Sequence, residues 1–333
     1  MIFLSIALLF MGCAKKSSFP DIENREVELP PINNTALKFQ KLDIQAMGLL
    51  YGYCVDSLFL LKTKEYRNSF RVFNVKTEED YGTLFTGGDG PLEYTNLATQ
   101  GQYIAMPDSI MLWTRDNGKR KLRLANVTRS LEGKTTVIDK EYPLKVSLYN
   151  IYTINDTSFV GNTFDGLKWS FVRLNPVTEQ ITPLFDFLEF RDISFSSCNS
   201  TLKKDISRIA YAPFFFNQIF IFSPDGSTRF SVSLGNPTSF EDIEKKTFNE
   251  RPLYFSNITS SEDQIWVLYE DFDPDIPESA DANSKIIVMD WDGNPLYLFD
   301  TGKKLNTIFN SPDKNVMYAI DKDENIYKMR IEP

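Results

Sequence analysis

Val55-Asp56-Ser57-Leu58-Phe59-Leu60-Leu61 reads as a β-hairpin: an apolar run arrives, Asp-Ser turns the chain, and a second apolar run leaves. Asp suits such a turn because its carboxylate accepts from the backbone two residues further on. The unit returns as Pro107-Asp108-Ser109-Ile110-Met111-Leu112-Trp113 and as Asn155-Asp156-Thr157-Ser158-Phe159-Val160. Weaker copies stand at Asp205-Ile206-Ser207-Arg208-Ile209, Glu262-Asp263-Gln264-Ile265-Trp266-Val267 and Pro312-Asp313-Lys314-Asn315-Val316-Met317-Tyr318. The turn aspartates at 56, 108, 156, 205, 263 and 313 recur with a period near fifty. Six hairpin units at that period predict an all-β, six-bladed β-propeller.

Blade one is expected to hold strands Leu49–Val55, Leu58–Lys62, Phe70–Asn74 and Tyr81–Thr86, a layout that the later blades repeat. Blade six offers Thr307–Asn310, Val316–Ile320 and Ile326–Ile331, and is one strand short. Ala36-Leu37-Lys38-Phe39-Gln40-Lys41-Leu42, ahead of blade one, alternates apolar and polar residues. It is predicted to supply the outer strand of blade six and so close the ring. Residues 236–252, between blades four and five, are expected to include a short helix.

Phe (27), Tyr (15) and Trp (4) supply bulk for strands packed between neighbouring sheets. The net charge of −9 argues against nucleic acid and against a basic membrane-binding face. The chain contains no histidine, which removes Ser-His-Asp and Cys-His catalysis and imidazole metal ligands. Carboxylate chemistry, Tyr or Lys acid–base roles and oxygen-ligand Ca²⁺ sites remain open.

The apolar run Ile2–Met11 is too short to span a bilayer and suits a signal-peptide core. It stops at Gly12-Cys13, where the chain resembles a bacterial lipoprotein with Cys13 as the lipid attachment site. Residues 1–12 then form the signal, 13–35 a Pro- and Ser-punctuated tether, and 36–333 the propeller. In lipoproteins of Bacteroidetes, acidic residues after the cysteine resemble a surface-export signal. Lys15-Lys16 stands there instead, so a periplasm-facing protein on the outer membrane is expected, held to the membrane only by lipid.

Between blades one and two lies Gly88-Asp89-Gly90-Pro91-Leu92-Glu93-Tyr94. With the fifty-residue period, it resembles the TolB-like six-bladed propeller lipoproteins of Bacteroidetes, whose inter-blade loop carries Gly-x-Gly-Pro-x-Glu-aromatic. The resemblance implies fold and envelope location for residues 36–333, and no particular reaction. Read from the residues alone, the stretch is a blade connector, since its glycines permit positive φ and Pro91 fixes a turn.

In a propeller the loops from strand four to the next blade share a face with the strand two–three loops. Candidate ligand-face residues are therefore Tyr66 and Arg67 of blade one, and Asp89, Glu93 and Tyr94 of the connector. Blade two adds Arg115, Lys119 and Arg120, blade three Lys168 and Trp169, and blade four Phe214 and Phe215. Asp271, Asp273 and Asp275 open like a Ca²⁺ loop but lack its glycine and closing glutamate, so a solvated acidic loop is favoured. Two functions stay open: a monomeric, non-catalytic binder of an envelope protein, peptide or glycan, and a Ca²⁺-dependent hydrolase or lactonase. No catalytic residues are assigned, and no cofactor is expected apart from Ca²⁺ under the second reading.

Overall fold

The computed structural model describes residues 22–33, 37–64, 69–166, 168–189, 198–276, 282–311, 313 and 316–331. Two strands precede the first blade, β1 (Glu23–Val27) and β2 (Leu37–Lys41). Blade one is β3 (Leu49–Val55), β4 (Leu58–Thr63), β5 (Phe70–Asn74) and β6 (Asp80–Leu84). Blade two has a divided inner strand, β7 (Leu97–Ala98) and β8 (Tyr103–Met106), followed by β9 (Ser109–Asp116) and β10 (Lys121–Asn126). Helix α1 (Val127–Gly133) then leads to β11 (Ile138–Pro143). Blade three is β12 (Ile151–Asn155), β13 (Ser158–Phe164), β14 (Lys168–Asn175) and β15 (Gln180–Glu189). Blade four is β16 (Cys198–Leu202), β17 (Ile209–Pro213), β18 (Gln218–Phe222) and β19 (Arg229–Leu234). After α2 (Phe240–Glu244), blade five is β20 (Leu253–Ser260), β21 (Gln264–Phe272), β22 (Lys285–Asp290) and β23 (Pro295–Asp300). Blade six is β24 (Leu305–Asn310), β25 (Val316–Asp321) and β26 (Ile326–Ile331), with β2 as its outer strand.

The ring is therefore a six-bladed propeller, and it closes as the sequence predicts. Strand β2 runs antiparallel to β26, from Leu37 opposite Ile331 to Lys41 opposite Tyr327. The short helix expected between blades four and five is α2.

Six apolar clusters hold the ring, one at each blade interface. The second strands explain why: Phe59 and Leu61 of β4 face blade six, while Leu58 and Leu60 face blade two. Both faces of the strand are buried, so the period-two alternation is masked and the strand reads as a continuous apolar run. Phe59 meets Tyr318 edge-on at 4.6 Å between ring centres, the geometry that aromatic quadrupoles favour.

The N-terminal segment differs from the expected tether. Glu23–Val27 pairs in parallel with β19, making blade four five-stranded. Asn24 fixes the register from inside: it donates to Ser233 Oγ and accepts from Gln218 Nε2 and Ser231 Oγ. Ile22 packs into the cluster between blades three and four. Ile32 bridges Leu298 on the outer strand of blade five. The chain thus straps blades four and five before entering blade six as β2. The strand is rich in charge because only its inward side is buried, so composition alone reads it as linker. Residues 1–21, Cys13 among them, lie outside the described residues, and among the described residues no helix is long and apolar enough to cross a membrane.

Candidate ligand-binding face

The connector after blade one folds onto blade two through two cations. Lys119 Nζ donates to the carbonyls of Gly88 (3.0 Å), Gly90 (2.6 Å) and Glu93 (2.9 Å). Arg123, wholly buried, donates to Pro91 O at 2.8 Å and Glu93 O at 3.0 Å, and its Nε meets Glu141 at 2.8 Å. Its guanidinium also lies 4.8 Å from the centre of the Tyr94 ring. The Glu93 carboxylate turns back to accept from Gly90 N at 2.7 Å. Gly88 has a φ of +151°, and a Cβ there would stand 2.2 Å from Glu93 Oε2, so this position requires glycine.

Asp116 anchors the far end of the loop by accepting from Thr95 N, Thr95 Oγ1 and Asn96 N, and from Gly118 N and Lys119 N in its own turn. Burial pushes its carboxyl up, but these hydrogen bonds outweigh burial and hold it below the usual range. The connector reading of this stretch agrees with the geometry.

Several residues expected on the ligand face are in fact spent on structure. Tyr94 is fully buried, bonded through its hydroxyl to Thr114 Oγ1 at 2.8 Å, and burial lifts that hydroxyl to about 12. Trp169 is buried between Phe164 and Tyr149, because its strand faces the interface with blade four. Phe215 is buried against Phe248 and Arg251, while Phe214 is only partly covered. Lys168 pairs with Asp186 at 2.7 Å on the surface. Asp89 and Arg120 are exposed, and Tyr66 and Arg67 lie outside the described residues.

The acidic loop of blade five is also internally bonded. Asp271 accepts from the Tyr269 hydroxyl at 2.7 Å and faces Lys285 at 3.3 Å. Asp273 accepts from Asp275 N at 3.0 Å, and Asp275 faces Lys246 at 3.5 Å. Among the described residues, no three acidic or thiol side chains come together as a metal cage would require. The buried Glu270 accepts from Ser256 Oγ at 2.6 Å and pairs with Lys304 at 2.8 Å.

Arg115 is different. It sits near the end of β9, opposite Ala98 of the divided inner strand, and is only 9 % exposed. Its Nε and Nη1 have no hydrogen-bond partner. Four tyrosines are within electrostatic reach: Tyr53 and Tyr51 of blade one, and Tyr149 and Tyr152 of blade three. Burial lowers the guanidinium and the tyrosines pull it partly back up, leaving it at about 10 and cationic at neutral pH.

The divided strand makes this arrangement. Between β7 and β8 the chain bends away from regular pairing, with Thr99 Oγ1 donating to Trp113 O and Trp113 N to Gln102 O. Gly101, at φ +72°, lies against the Tyr53 ring, where a Cβ would come within 2.7 Å. The Gln102 side chain takes over strand pairing toward blade three, accepting from Thr153 N at 2.6 Å and donating to Thr153 O at 3.0 Å. Tyr53 donates to Thr99 O at 2.8 Å, and Tyr152 bonds Ser200 Oγ at 2.8 Å.

No family model matches the chain, and no curated protein matches it in sequence. Among solved structures it is similar to a Bacteroides fragilis protein described as exported, with a TM-score of 0.59 at 13% identity. That alignment covers 93% of this chain and 99% of the other. A member of the DUF4221 family from Bacteroides vulgatus aligns with a TM-score of 0.60 at 12% identity, over 90% of this chain and 99% of that one. At these identities the likeness is one of fold.

Proposed function

We propose that the protein is a non-catalytic binding module of the bacterial cell envelope. It recognises a protein, peptide or glycan at the end of the ring where Arg115 meets the tyrosines. The observation that carries this reading is that Nε and Nη1 of the buried Arg115 have no hydrogen-bond partner. Such a group destabilises the free protein and is compensated when a ligand meets it. Exposed apolar side chains on the same face extend the contact: Met47, Leu50, Leu92 and Phe248.

The address follows from the N-terminus. The signal core and Gly12-Cys13 support lipidation at Cys13, and the structural relative described as exported is consistent with it. The TolB-like resemblance and Lys15-Lys16 support a periplasm-facing protein on the outer membrane. Strand β1 also supports one orientation over the other. It runs parallel to β19, and Arg25 near its start donates to Asp292 O in the turn between the two outermost strands of blade five. That turn is on the face opposite the ligand loops. The described chain begins at Ile22 on that side, which supports an Arg115 face turned away from an anchor at Cys13.

Hydroxyl-radical footprinting of the mature protein, with and without envelope extract, tests the reading. Protection is expected at Met47, Tyr51 and Phe248 and not at Val177, which is exposed on the anchor-side turn of blade three. Protection confined to Val177, or none at the first three, contradicts it.

A further inference from the structure

The two arginines of neighbouring strands in blade two form an internal comparison. Thr114 of β9 stands opposite Arg123, and Arg115 stands opposite Leu122. Arg123 shows what a buried structural arginine does in this fold: it has a carboxylate, two carbonyls and an aromatic face. Arg115 is buried almost as deeply, yet its Nε and Nη1 are without partners. Guanidinium nitrogens removed from water and left unbonded lose free energy that the fold does not offset.

Resting on the binding reading above, we infer that the Arg115 site receives the carboxylate of a small acidic ligand or of a chain end. Three features specify that chemistry. The guanidinium is planar and its parallel N–H groups match the two oxygens of a carboxylate. The groups within electrostatic reach of it are neutral tyrosines, so the site offers one positive charge and suits a single negative one. Tyr53 and Tyr152 spend their hydroxyls on Thr99 O and Ser200 Oγ, which fixes both rings as walls. Tyr51 packs edge-on against Tyr53 at 5.7 Å, and Tyr149 against Trp169 at 4.7 Å, so the walls are aromatic on both the blade-one and the blade-three side. A carboxylate carried on a sugar or aromatic ring would set its charge on the arginine and its ring against these aromatic side chains.

The test is titration of the full mature chain with sodium glucuronate, sodium benzoate and inorganic phosphate at matched ionic strength. It is followed by thermal melting and by the ¹⁵Nε resonance of arginine, for the parent, Arg115→Met and Arg115→Lys. At least one carboxylate is expected to raise the melting temperature and shift one arginine Nε signal. Arg115→Met should bind at least tenfold more weakly, and Arg115→Lys should fall between the two. Without ligand, Arg115→Met should melt at or above the parent, because an unpaired buried cation has been replaced by an apolar chain. The inference is overturned if both carboxylates bind parent and Arg115→Met alike or bind neither, or if phosphate binds the parent more tightly. It is also overturned if unliganded Arg115→Met melts well below the parent, since the guanidinium would then be structural. Failure here, with the footprint at Met47, Tyr51 and Phe248 retained, removes the carboxylate and leaves the binding face standing.

Discussion

Lys119 Nζ donates to the Gly90 carbonyl across 2.6 Å, and through this and two companion bonds blade two holds the loop that leaves blade one. An ammonium inside a ring of carbonyls replaces the water that those oxygens would otherwise bind. The loop is thereby pinned without a regular strand or helix. Its Gly-x-Gly-Pro sequence is what lets three carbonyls converge on one cation.

Lys119→Met should therefore loosen residues 85–96 and cost about 2–4 kcal/mol, given ~1.5–3 kcal/mol for a hydrogen bond to a charged group and the carbonyls left unmet. Denaturant unfolding measures it. A change under ~0.5 kcal/mol, the scale of an ordinary surface substitution, would show that Arg123 and Asp116 hold the loop without Lys119.

Deleting the chain through Lys41 should destabilise the whole ring and promote aggregation, because β26 then presents an unpaired edge and Leu37 leaves the cluster between blades five and six. Deleting only through Asn33 should cost less, since β19 loses a parallel partner while the ring stays closed. The order of the two melting temperatures decides: a lower value for the shorter deletion would contradict ring closure by β2.

Cys54 and Cys198 belong to the inner strands of blades one and four, across the ring from one another, and should not pair. Cys54 is buried as a free thiol, and the side chain of Cys198 lies outside the described residues. Burial, with Asp56 and Asp313 adding to it, raises the Cys54 thiol to about 12. The unfolded thiol titrates near ~8.5. The folded state therefore binds the extra proton between those values, and its stability falls as pH rises from ~8.5 toward 12. Cys54→Ala should flatten that decline. Thiol counting without reductant, with Cys13 blocked, should find Cys54 unreactive in the native state and both thiols free after denaturation. An intramolecular crosslink would mean that the blades are misassigned.

The architecture was legible because each blade repeats one physical problem, a tight turn between two strands, with an aspartate in or beside it. Asp205 still accepts from Ser207 N at 2.9 Å, and in blade three Asn155, one residue before the aspartate, accepts from Thr157 N at 3.0 Å. The outer strand β2 was legible because one side alternates apolar. Strand β1 was not, since its register rests on one buried asparagine and on partners over two hundred residues away. The site was only partly legible. The sequence puts Lys119, Glu93 and Tyr94 on neighbouring loops, but residue type does not reveal that their polar groups turn inward. Arg123, missed altogether, carried a signal: a cation inside Leu122–Ala125, a strand otherwise apolar. The unpaired state of Arg115 depends on the division of β7 from β8, which no local pattern announces.

The proposed binding face at Arg115 should meet a component of the envelope and point away from the membrane. A photoreactive side chain introduced in cells at Phe248, exposed on that face, or at Val177, on the opposite side, tests it most directly. Crosslinks to one defined envelope component from position 248, weakened by Arg115→Met, with only lipid or no adduct from position 177, are the predicted result. A defined adduct from position 177 and none from position 248 would contradict the account.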